Sequence, residues 1–354
     1  MRVRTPTGLD YLGSRLHGRR SRLAEADRLD ALSRIRAVPE LIRALESDTS
    51  VHTIIDLQRR LVSDLVAELQ NIARQTEGPA ADLMDWLAVR LQVENLKVLA
   101  RSFSTHTPYD QAKPHLVPLE GDLAVDGPGL AAADSLEAFL ALVPAKPLRA
   151  ALHDVLALYR SQLRPFFIEA ALDSGYFLEL LARVAALHDD QRDEVLALAR
   201  QEVDLFHLIL VTRGKFVYGL KPEQLALFHV RGTRIPHDRF SAMLAAPDLG
   251  EVAAQAVGRV IDSPPREVGG RAAGQGGGDP SILEVLAWQR YLRVANLTFR
   301  RSHMGLGAVV AFAAVRRIEV ANLITLSEGI RTGAAPEVLR RRLIPRSDVE
   351  AARA

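Results

Sequence analysis

The side chains with the most chemical potential in this 354-residue chain are its ten histidines and the carboxylates on long helical patterns: Glu94, Glu202, Asp204, Glu319 and Glu328. Histidine beside a carboxylate can move a proton or hold a metal, and paired carboxylates can share acid and base roles. Those constellations need particular spacings, and the spacings are missing. There is no His-x-x-x-His or His-Glu-x-x-His pair, and no cysteine to serve as nucleophile, disulfide partner or thiolate ligand. His188-Asp189-Asp190 has the residue types of a metal corner, yet it reads more simply as the polar end of a helix before the next begins. No Walker phosphate loop and no Gly-x-Ser-x-Gly elbow occurs. The glycines from Gly269 to Gly278 follow no strand and lack a Lys-Ser/Thr pair, so they read as a flexible loop. The carboxylates are therefore expected to be solvated or to pair along and between helices. No catalytic residue, cofactor, metal or small-molecule substrate is expected.

The elements that carry these residues are helical almost throughout. Leu57, Leu61, Leu65 and Leu69 form one apolar stripe, with Arg59, Arg60, Asp64 and Glu68 on the wet side. Similar patterns cover 148–163, 176–187, 195–210, 282–299 and 309–326. Period-two alternation is scarce and aromatics make only 5% of the chain, so the fold class is all-α. Breaks rich in Pro and Gly fall at 104–130, 219–237 and 263–280. An apolar fraction of 48% with 25% charged residues excludes wholesale disorder. The longest uncharged apolar run, Gly305 to Val315, is about half of the ~20 residues a membrane crossing needs. No signal-peptide pattern opens the chain, and an intracellular, water-soluble protein is expected.

Three helices carry the same pattern. Asn95-Leu-Lys-Val-Leu-Ala-Arg101, His207-Leu-Ile-Leu-Val-Thr-Arg213 and Asn322-Leu-Ile-Thr-Leu-Ser-Glu328 each present a polar anchor, a leucine and then a charge six positions on. The anchors lie 112 and 115 residues apart. Gly219-Leu-Lys-Pro-Glu-Gln-Leu225 then parallels Gly333-Ala-Ala-Pro-Glu-Val-Leu339, a helix stop followed by a proline-led start. The segments starting at Leu116, Val230 and Leu343 close the three units. Three repeats of about 118 residues, a common domain size, are expected over 1–123, 124–237 and 238–354, the last with the glycine-rich loop 263–280.

Charge leaves two local patches. The net charge is only +2, which argues against a protein-wide field for nucleic acid or anionic lipid. Six arginines crowd residues 1 to 22, among them Arg15, Arg19 and Arg20, and Arg340, Arg341 and Arg342 follow one another near the other end. These clusters read either as solvated faces or as docking sites for an acidic partner protein. Nucleic acid is disfavoured, because no aromatics interleave with the arginines.

Tyr11-Leu-Gly-Ser-Arg15, Arg19-Arg20, Pro39-Glu-Leu-Ile-Arg43 and Glu94-Asn-Leu-Lys97 with Arg101 resemble the C/d subunit of V/A-type rotary ATPases. Asp173-Ser-Gly-Tyr-Phe177, Asp204 with Arg213-Gly-Lys215, Glu319-Val-Ala-Asn-Leu323 and Gly329-Ile-Arg331 extend the resemblance in order along the chain. His207 stands where that family usually has Asn, and Glu328 where a basic residue is usual. The resemblance implies a funnel of three similar helical units around a pseudo-three-fold axis. It implies a non-catalytic part on the cytoplasmic face of the membrane, between the central-stalk subunits and the membrane proteolipid rotor ring. ATP-linked proton or sodium transport would pass through that coupling. A helical-repeat scaffold of another complex is the alternative reading, and a nucleic-acid-associated protein a more distant one.

Overall fold

The computed structural model describes residues 8–45, 51–162, 164–264 and 279–344. Most of the 263–280 loop, and the chain beyond Ile344, lie outside the described residues. The described residues are helical, with no strand among them and one isolated bridge between Val257 and Ile261. The chain forms two compact units, one from Met1–Met84, Asp189–Leu198 and Trp288–Ala354, the other from Asp85–His188 and Ala199–Ala287.

In the first unit, α1 (Leu9–Arg20) and α2 (Ile54–Arg74) both pack on a long helix near the C-terminus, Leu306–Arg331. The start of α2 is fixed by a reciprocal cap. The Thr53 hydroxyl accepts from the Asp56 amide at 3.1 Å, and the Asp56 carboxylate accepts from the Thr53 amide at 3.3 Å. Leu57, Leu61, Leu65 and Leu69 are all buried, as their four-residue spacing requires. The helix Leu306–Arg331 is buried nearly all round from Leu306 to Val315, which is why its sequence there is uncharged. The apolar run is a core helix, and no described helix is long and apolar enough to cross a membrane.

The second unit takes α3 (Gly78–Thr105) from Asp85 onward and α4 (Pro165–Ala185), whose Pro165 sits in its first turn. Trp86 of α3 stacks on Tyr176 of α4 at 5.6 Å between ring centroids and donates its indole N–H to the Tyr176 carbonyl at 3.0 Å. At Gly175, α4 comes so close to the helix Lys146–Asp154 that a Cβ there would lie 2.8 Å from that of Ala151. The next long helix, α5 (Asp189–Ile209), begins with His188 at its cap and Asp189 and Asp190 in its first turn. The His-Asp-Asp tripeptide, expected at the polar end of a helix, lies past the end of α4 at Ala185 and opens α5, with the acids favourably placed at the positive end of its dipole.

The remaining long helices are α6 (Pro280–Arg301) and α7 (Leu306–Arg331), followed by the short α8 (Pro336–Arg342). Helices α3 and α7, and the continuation of α5, stop at left-handed residues: His106, Gly333 and Gly219, with φ of 54°, 65° and 63°. Counted from Asn95, Asn322 and His207, these stops lie 11, 11 and 12 residues on. The extra residue in the middle case is absorbed by a π-helical stretch, Leu210–Val217, which continues α5. Wider i→i+5 turns take up an inserted residue without breaking the helix.

Seven residues past their anchors, Gly214 and Gly329 each face a leucine of the following short helix, Leu225 and Leu339. A Cβ on Gly329 would overlap the Leu339 side chain, which is buried. Gly329→Ala should therefore cost about 1–3 kcal/mol by overpacking. Denaturant titration should show it, and combining it with Leu339→Ala should cost less than the two single changes added together.

Candidate functional site

The sequence marks three polar anchors on apolar helices, and all three make the same kind of bond. Asn95 donates its side-chain amide to the Val117 carbonyl at 2.8 Å and accepts the Val117 N–H at 2.7 Å. Asn322 does the same with Ile344, at 3.0 and 2.9 Å. His207 accepts the Val230 N–H on Nε2 at 3.0 Å. The clasped residues lie 22, 22 and 23 positions past their anchors, the same one-residue offset the π turn introduces. Three positions before each anchor a second polar side chain also binds backbone. Gln92 donates to the Leu123 carbonyl, Asp204 accepts from the Ile235 N–H and Glu319 from the Ala24 N–H.

His207 is the odd member. Its Nε2 must be unprotonated to accept, which places the proton on Nδ1, and Nδ1 has no partner among the described residues. Burial drives its pKa well below the ordinary imidazole value, and His229, stacked on it at 4.7 Å, pushes the same way. His229 is itself lowered, chiefly by burial. Asp204 is fully buried; burial raises its pKa, opposed by the Arg234 guanidinium 3.1 Å away.

The charges six positions past the anchors are joints. Arg101 binds Glu169 of α4 through two parallel bonds, at 2.6 and 2.8 Å. Arg213 binds Glu284 of α6 in the same fork, at 2.8 and 2.5 Å. Glu328 instead accepts from Gln58 of α2 at 2.7 Å, with Arg331 beside it at 2.8 Å. The partners Glu169, Glu284 and Gln58 each occupy the fifth position of their helix, a match that the pattern of anchors alone does not reveal. Pro165-Phe-Phe-Ile-Glu169 and Pro280-Ser-Ile-Leu-Glu284 carry the signal, 115 residues apart. The third copy, Ile54-Ile-Asp-Leu-Gln58, has lost both the proline and the acid. Glu94 and Lys97 form a further network with Arg90 and Asp173, in which Asp173 lies 2.8 Å from Arg90 and 2.7 Å from Lys97.

The two arginine clusters fare differently. Arg15 donates to Gln75 at 2.6 Å, and Arg19 pairs with Glu68 at 2.8 Å. Arg20 is largely buried, with its guanidinium 4.3 Å from the Phe299 ring centroid, 3.6 Å from Glu25 and bonded to Asn296. These three attach α1 to its own unit. Arg340, Arg341 and Arg342 are exposed on the last turn of α8, and no carboxylate among the described residues pairs with them. Among the described residues no group of His, Asp and Glu has the arrangement to hold a metal ion.

A family model described as ATP synthase (C/AC39) subunit matches residues 12–342. The chain belongs to this family. It is 19% identical over 335 residues to the C subunit of the A-type ATP synthase of Methanosphaera stadtmanae, spanning 92% of this chain and 85% of that relative. It is 21% identical over 338 residues to the C subunit of the A-type ATP synthase of Methanothermobacter thermautotrophicus, spanning 94% and 87%. In this member of the ATP synthase (C/AC39) family, the three polar anchors are backbone clasps and the charges six positions past them are helix-to-helix joints.

The His207 clasp gives a pH test. Below the ordinary imidazole value of 6.5 the unfolded chain takes up protons that buried His207 and His229 refuse. Stability is therefore full above that pH and declines as pH falls below it. His207→Asn should narrow the difference in unfolding free energy between pH 7.5 and pH 5.5, measured by denaturant titration. An equal loss in both proteins would contradict the assignment.

Proposed function

We propose that this member of the ATP synthase (C/AC39) family is the non-catalytic adaptor of a rotary A/V-type ATP synthase. In this reading it joins the central-stalk subunits to the membrane proteolipid rotor ring at the cytoplasmic face, and so couples ATP turnover to proton or sodium movement. The match of the family model across residues 12–342 is the observation that carries it. The names of the two archaeal relatives support it, and so does the use of the chain's conspicuous polar residues to bind its own backbone and helices.

Such a part must transmit torque without shearing. Each charge moved across 100 mV stores about 2.3 kcal/mol, and several steps load the shaft before ATP chemistry relieves it. Each interface then needs at least about 1,000 Å² of buried surface, with charge guiding the approach. We read the chain as three repeats, 1–123, 124–237 and 238–354. The bonds Arg101–Glu169, Arg213–Glu284 and Glu328–Gln58 tie each to the next and the third to the first. Docking to the stalk falls first to Arg340, Arg341 and Arg342. Arg15 and Arg19 are second candidates, being exposed as well as paired, while Arg20 supports them from below the surface.

Co-sedimentation with the detergent-solubilised rotor ring, and separately with the isolated stalk, tests the reading. One copy should bind each partner, and Arg340→Ser, Arg341→Ser and Arg342→Ser combined should weaken stalk binding and flatten its salt dependence. Failure to bind either competent partner would overturn the adaptor role. Unchanged binding by the triple variant at every salt concentration would remove the arginines from the interface.

A further inference from the structure

The first unit contains a polar cavity of about 590 Å³ that neither the clasps nor the joints explain. It opens between α1 and the turn after it, one face of α2 and the middle of α7. Its walls carry five arginines and three carboxylates, a surplus of two positive charges.

The carboxylates are already committed. Glu68 lies between Arg19 at 2.8 Å and Arg316 at 3.1 Å. Glu319 binds Arg316 and accepts the Ala24 N–H. Asp64 is 3.3 Å from Arg60, one turn away on its own helix. Arg19, Glu68, Arg316 and Glu319 thus form a neutral network in which Arg316 and Glu319 are largely buried. The other three guanidinium groups, Arg22, Arg28 and Arg74, have no carboxylate partner among the described residues. Arg28 donates to the Arg22 carbonyl, which holds its guanidinium beside the turn without pairing its charge with a carboxylate among the described residues. The three come from separate elements: the turn after α1, the helix Ala26–Ser33 and the last turn of α2. Like charges brought around one concavity repel each other, and an anion seated among them relieves that repulsion.

We propose that this cavity binds a small soluble compound carrying two or more phosphoryl groups, held by Arg22, Arg28 and Arg74. Guanidinium forks match phosphoryl oxygens two at a time, and the volume lies in the range of small-ligand sites, about 300–1,000 Å³. Asn71, also on the wall, supplies an amide donor. The three arginines line one concavity from three separate elements and do not follow one another along a single helix, which favours a compact ligand over an extended acidic polypeptide. Binding there does not depend on the adaptor role.

Inorganic pyrophosphate is the probe. Titrated calorimetrically into the full chain at constant ionic strength, it should bind one saturable site, and chloride should give no such signal. Arg22→Ser with Arg74→Ser should weaken binding at least tenfold, whereas Arg59→Ser, exposed on α2 but outside the cavity, should leave it within about twofold. In the wild-type chain, pyrophosphate should also shield Arg22 and Arg74 from phenylglyoxal, read by peptide mass mapping. This second readout holds even if the double variant folds poorly. No saturable binding, or unchanged affinity in a folded double variant, would overturn the proposal. So would capture of anionic phospholipid vesicles or an acidic peptide through Arg22 and Arg74 without pyrophosphate binding, since the cavity mouth would then serve a macromolecular surface.

Discussion

A long helix that stops and sends its chain back across its own flank leaves backbone groups of the returning segment against apolar surroundings. Each such group left unpaired costs about 1–3 kcal/mol. Here the cost is met by one side chain placed on the flank of the helix itself. Asn95 and Asn322 each satisfy both the N–H and the carbonyl of a single residue in the returning chain. An amide side chain sets an N–H donor beside a carbonyl acceptor at the spacing a peptide unit requires, which is why asparagine fits. Imidazole offers only a single acceptor to Val230, and its other nitrogen is left buried without a partner among the described residues. The stops, the proline-led helices and the buried leucines beyond them all take their register from these three clasps.

The joints follow from the clasps. Once an anchor is fixed, the residue six positions on points toward the opening turn of another long helix. Two of the joints are bidentate Arg–Glu pairs, and the glutamate there also sits near the positive end of its helix dipole. At the third the acid has moved to α7 and a neutral Gln58 faces it, so the bond is a single charge-assisted one. Keeping the acid on both sides would have set Glu328 against a carboxylate. With a neutral glutamine at 58, where the other two joints have Glu169 and Glu284, the glutamate at 328 meets a donor and no like charge.

Much of this was legible in the sequence because it is periodic. The helical class, the three anchors, the charges six positions on and the closing segments are all patterns along the chain. The fifth-position partners were equally periodic in two copies, but the third, without proline or glutamate, hid the match. The cavity was not legible at all. Arg22, Arg28, Arg74 and Arg316 are scattered over nearly the whole length of the chain, and only packing makes them neighbours. Nor could sequence separate the two arginine clusters. Arg20 is largely buried against Phe299 while Arg341 stands in solvent, though both are arginines on short amphipathic helices.

If the clasps hold the returning segments as described, the amides of Val117, Val230 and Ile344 open only when a whole unit loosens. Native-state hydrogen exchange, resolved residue by residue, reads this directly. Those three amides should exchange at least about a hundredfold more slowly than in an unstructured chain. Exchange at the unstructured rate at all three, with the long helices still protected, would contradict the clasps.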